Sequence, residues 1–104
     1  MDKLPKNFMR IQERFGAVVE KAGDLGKAAH EAGPVDEKTA HLIQLAAATA
    51  LRFEGAVHSH VRRAVKAGAS AEEIRHTVVL LTPTIGFPTV AAALSWVEDV
   101  LSGD

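Results

Sequence analysis

The stretch Glu-Gly-Ala-Val-His-Ser-His at 54–60 sets a carboxylate and two imidazoles within seven residues of a chain that has no cysteine. Imidazole ordinarily titrates near neutrality and suits general acid or base work, and a carboxylate can orient it or tune it. On a helix turning about 100° per residue, Val57, Val61, Ala64, Val65 and Gly68 share one face, and Ser59, Arg62, Arg63 and Lys66 lie mainly opposite. His58 and His60 then stand about 200° apart, on opposite edges of the apolar stripe, and do not chelate one ion together. Glu54 has two placements. If helical, it projects near the middle of the stripe, where a lone carboxylate is costly unless paired or protonated. At the helix N-terminus it would instead cap exposed amides at the favourable end of the dipole. His60 also has two roles open to it: a boundary residue bonded to a backbone carbonyl, or the acid–base group of the chain.

Other histidines offer less. His41 and His76 fall on different helices and, with His60, have the composition of a three-histidine metal site. No His-x-x-x-His spacing supports such a site, so no metal is assigned. His30, beside Glu31 in an alanine-rich polar segment, reads as a solvated helix residue.

The elements that position these groups are all helical, because no segment alternates with the period of a strand. Phe8, Ile11, Phe15, Val18 and Val19 mark one face of a first helix behind Pro5, an amphipathic helix expected to cover another element. Gly23 and Gly26 weaken the helical segment after it, and Gly-Pro-Val at 33–35 ends that segment. Asp36 is the expected N-cap of a helix reaching about Arg52. Its run LIQLAAATAL at 42–51 is apolar on nearly every side, as suits the buried centre of a domain. The helix of Glu54 and His60 ends at Gly68, and Ser70 with Glu73 has capping-box spacing for the next, which buries Ile74, Val78 and Leu81. A loop is expected over 82–88, and Pro88 begins a last helix with Val90, Leu94, Val97 and Leu101 on its apolar stripe. Trp96, about 100° from Val97, faces either the core or a neighbouring subunit. The expectation is an all-α bundle of five or six helices.

Composition sets the limits. The 104 residues are enough for one domain, 1–104, though short enough to benefit from self-association. Hydrophobic residues are 47% and charged residues 24%, which argues against disorder. Lys and Arg total 12 against 13 for Asp and Glu, a formal charge of -1 that points to neither nucleic acid nor membrane as partner. Lack of cysteine excludes disulfides, thiolate nucleophiles and thiolate metal sites. The N-terminal segment is charged and lacks an apolar signal core, so the expected location is cytoplasmic.

The ordered motifs Gly-Pro-Val-Asp-Glu-Lys-Thr, Glu-Gly-Ala-Val-His-Ser-His-Val-Arg-Arg-Ala, Lys-Ala-Gly-Ala-Ser-Ala-Glu-Glu-Ile and Gly-Phe-Pro-Thr-Val-Ala-Ala-Ala-Leu resemble the carboxymuconolactone decarboxylase family over about residues 5–101. That resemblance implies an AhpD-like all-α fold with a helical hairpin shared between subunits, in a homo-oligomer, trimer or hexamer. AhpD-type alkylhydroperoxidases carry a Cys-x-x-Cys pair where this chain has Phe53 and Ala56, a histidine matching His60, and a glutamate where this chain has His41. A thiol peroxidase cycle needs both thiols and does not run here. The decarboxylase branch resembles this chain at Glu54, at His60 and in the Gly-Phe-Pro stretch ending at Pro88. It implies a cofactor-independent lyase acting on a small carboxylated lactone or related compound. His60 and Glu54 are then the catalytic residues, and Arg52, His41 and His58 bind the substrate carboxylate, with Arg62 and Arg63 more often solvated. The alternative is a non-catalytic oligomeric binding or scaffold protein of the same fold.

Overall fold

A computed structural model describes residues 4–103, and every regular element among them is helical. The helices are α1 (Lys6–Arg14), α2 (Gly16–Glu31), α3 (Glu37–Ala50), α4 (Glu54–Lys66), α5 (Ala71–Val79), the single-turn α6 (Thr82–Ile85) and α7 (Phe87–Leu101). They fall into two compact units, one ending at Asp36 and the other beginning at Glu37. None is long and apolar enough to cross a membrane.

In the first unit the single helix expected through Phe8 and Val19 is two. Phe15 leaves helical geometry at φ -132° and ψ 47°, and α2 starts at Gly16, a residue that weakens helix interiors. The break leaves the local amides bonded: Phe15 N–H donates to Ile11 O at 2.7 Å, and the Val18 and Val19 amides donate to Phe15 O. Gly23 and Gly26, by contrast, sit inside α2 without ending it. Phe8, Ile11, Phe15 and Val18 are exposed, and neither helix has a buried residue.

In the second unit α3, α4, α5 and α7 surround a core of Leu45, Val57, Val61, Ile74, Val78, Val90, Ala93 and Val97, with Trp96 half-buried against it. Burying the valine, leucine and isoleucine side chains of this core fully is worth roughly 1.5–3 kcal/mol each, which holds the helices together. α3 packs against all three partners, yet only His41, Leu45, Ala48 and Thr49 are buried, and Ile43, Ala47 and Ala50 face outward. The all-round burial expected of α3 holds on one side only.

Local chemistry sets the helix ends. At the end of α4, Ala69 N–H donates to Ala64 O at 2.9 Å and Gly68 N–H to Val65 O at 3.0 Å, with Gly68 at φ 100°. Those paired bonds form a Schellman cap, which needs a left-handed residue and so suits glycine. The Ser70 capping box is complete: Glu73 N–H donates to Ser70 Oγ at 3.0 Å and Ser70 N–H to Glu73 Oε1 at 2.9 Å. The loop expected over 82–88 contains the extra turn α6, because Pro83 pre-sets helical φ in its first turn. Gly86, at φ 93°, then redirects the chain into α7, with Pro88 in the first turn.

Candidate functional site

The site is built on the reversal between α3 and α4, a connection of only Leu51, Arg52 and Phe53. Arg52 N–H donates to Thr49 O and Phe53 N–H to Ala48 O, both at 3.0 Å, the same paired cap seen at Gly68. Here the left-handed position is filled by arginine, at φ 59°. Its guanidinium is not idle: Nη1 donates to Thr89 Oγ1 at 2.7 Å and ties the turn to the first turns of α7.

This tight reversal lays α4 back along α3. His41, buried on α3, meets His60, half-buried on α4, with ring centroids 5.8 Å apart and planes tilted by 37°. His41 Nε2 also lies 3.4 Å from Glu37 Oε2, one turn earlier on its own helix. Both Nδ1 atoms are buried. A pair of imidazoles set in an apolar hairpin is suited to holding and passing a proton.

Glu54 goes elsewhere. It stands exposed in the first turn of α4, at the helix terminus and not at mid-stripe, but with no side-chain cap on that end of the helix. Six residues of helix separate it from His60 by about 9 Å along the axis and about 120° around it. Its carboxylate instead faces His58, with Oε2 3.9 Å from Nε2, and the same nitrogen lies 3.1 Å from Asp99 Oδ2 of α7. The expected couple of His60 with Glu54 is thus replaced by two separate pairings, His60 with His41 and Glu54 with His58. His58 and His60 diverge as the helical wheel requires.

The remaining candidates are peripheral. Arg52 is exposed and engaged with Thr89. Arg63 is exposed, while Arg62 is half-buried and makes no ion pair with a described residue; burial first, then the charge of Arg63, lowers its pKa. His76 is exposed on α5, and among the described residues His41, His60 and His76 do not converge as a three-ligand group. Sequence reasoning missed Asp99 and Thr89. No local spacing points to them, because each meets its partner only when α7 docks.

Residues 17–99 match the carboxymuconolactone decarboxylase family, most of the chain, and the protein belongs to that family. Among solved structures it is similar to the apo form of a carboxymuconolactone decarboxylase family protein from Legionella pneumophila. That likeness has 26% sequence identity and a TM-score of 0.73, and covers 88% of this chain and 82% of the other. Comparison with curated proteins gives no match.

Proposed function

We propose that this family member is a cofactor-independent lyase of the decarboxylase type, acting on a small carboxylated lactone or a related compound. The observation that carries the reading is the His60–His41 pair, set across the α3–α4 hairpin in a chain without thiols. Loss of carbon dioxide sends the electron pair of the broken C–C bond into a conjugated carbonyl and leaves an enolate. His60 in its imidazolium form donates a proton to the enolate carbon, and His41 stabilises and replenishes that proton from the facing helix. Arg52, at the mouth of the turn, is the proposed contact for a substrate carboxylate, exchanging Thr89 for it. Glu54 and His58 lie on other faces of α4 and are given no part in the proton transfer.

The proposed assembly is a homo-oligomer, trimer or hexamer, in the cytoplasm. Support for self-association comes from exposed Ile43, Leu51, Phe53, Leu80 and Phe87, apolar side chains that a single chain leaves in water. Those same surfaces favour the second reading, a non-catalytic oligomeric binding or scaffold protein.

The test is ultraviolet absorbance of 4-carboxymuconolactone incubated with purified protein, beside His60→Ala. Enzyme-dependent turnover that falls by about 100-fold or more in the variant supports the lyase reading. No turnover by wild-type protein that still self-associates rejects this substrate and favours the scaffold reading.

A further inference from the structure

We propose that Glu54, His58 and Asp99 form a site for a divalent first-row transition cation, of the chemistry of Zn2+ or Mn2+, that clamps α4 to α7. Glu54 and His58 are four residues apart on α4 and rise from one face, and α7 brings Asp99 across to them. One ligand atom from each lies within 4.8 Å of the other two. Tetrahedral zinc–ligand bonds of about 2.0–2.2 Å place neighbouring donors about 3.3–3.6 Å apart. The His58–Asp99 separation of 3.1 Å and the His58–Glu54 separation of 3.9 Å lie on either side of that range, and Glu54, the more exposed carboxylate, is free to adjust.

Charge supplies the second argument. Two carboxylates converge on one imidazole nitrogen, which carries at most one proton. That proton serves Asp99 at hydrogen-bond distance, and Glu54 at 3.9 Å lies beyond it. No lysine or arginine among the described residues forms an ion pair with either carboxylate. The arrangement concentrates negative charge that a metal ion would neutralise. The side chains of Glu54, His58 and Asp99 are 56%, 22% and 50% exposed, so an ion has access and retains open positions for water or an anion. An imidazole nitrogen selects against Mg2+ and Ca2+, which take oxygen ligands, and two carboxylates suit zinc or manganese better than a soft thiophilic ion. The positive end of the α4 dipole opposes the cation only weakly at such an exposed position. The site is independent of the proposed step at His60.

Trp96, the one tryptophan in the chain, sits a single helical turn before Asp99 and reports on the site. The experiment titrates chelator-stripped full-length protein with Co2+ and Zn2+, following Trp96 emission, the visible Co2+ spectrum and binding heat. The expected result is one saturable ion per chain, quenching of Trp96 by Co2+, and at least tenfold weaker binding in both Asp99→Asn and His58→Gln. Circular dichroism confirms that each variant is folded. No saturable binding up to millimolar metal overturns the proposal, as does undiminished binding in the two folded variants.

Discussion

Replacing Arg52 by glycine probes the turn on which the site is built. A non-glycine residue in the left-handed region costs roughly 1–2 kcal/mol, and glycine returns about 0.5–1 kcal/mol of that through the greater freedom of its unfolded chain. The backbone gain of Arg52→Gly at φ 59° is therefore about 0.5–1 kcal/mol. Against it stands the lost hydrogen bond to Thr89 Oγ1, exposed and worth about 0.5–1 kcal/mol. The single variant should melt close to wild type because the two terms cancel. Thr89→Val removes the bond beforehand, so Arg52→Gly in that background should show the backbone gain alone. A gain of that size raises the melting temperature by about 2–8 °C, and the cycle gives a coupling of about 0.5–1 kcal/mol. The assay is thermal unfolding followed at 222 nm, with all four proteins at one concentration because self-association shifts the midpoint. If the double variant melts below Thr89→Val, Arg52 is not strained and the account of the turn is wrong.

Ser70→Ala should destabilise the protein by about 1 kcal/mol in denaturant titrations, because α5 loses its N-terminal cap. Ile74→Ala, at a fully buried site, should cost about 2–5 kcal/mol and lower the melting temperature by roughly 10 °C or more. Glu73 is held below the usual carboxylate range first by the Ser70 backbone amide and then by Lys38, and Glu98 by its hydrogen bonds from Arg75. Carboxyls with depressed folded-state values contribute stability above about pH 4.3 and lose it as pH falls through those values, so melting temperature should drop from about pH 5 downward. Glu73→Gln, which keeps the cap without the charge, should flatten that profile; an unchanged slope contradicts the assignment.

Much of the second unit was legible because its signals are local. The stripe of Val57, Val61 and Ala64, the Gly68 cap and the Ser70–Glu73 box each depend on residues within a few positions of one another. The all-α class and His60 on the edge of its stripe came from the same kind of reading, whereas the family came from a resemblance carried by the ordered motifs along the chain. What escaped depends on distant chain or on an unexpected residue type. The cap at Arg52 repeats that at Gly68 but carries no glycine to announce it. Wheel arithmetic left Glu54 two placements, and its position in the first turn of α4, exposed and turned toward His58, decided between them. Asp99 lies 41 residues from His58, beyond any spacing rule. The break at Phe15 was hidden by apolar periodicity that runs straight through it.

The short connection between α3 and α4 also lowers the entropic cost of bringing their side chains together. Closing a loop costs conformational entropy that grows with its length, so a hairpin joined by three residues can assemble before a distant helix finds its place. His41 and His60 lie on the two arms of that hairpin and face each other as soon as it closes. Glu54, His58 and Asp99 meet only after α7 has docked. One histidine pair thus belongs to a local hairpin, and the other cluster exists only in the completed unit.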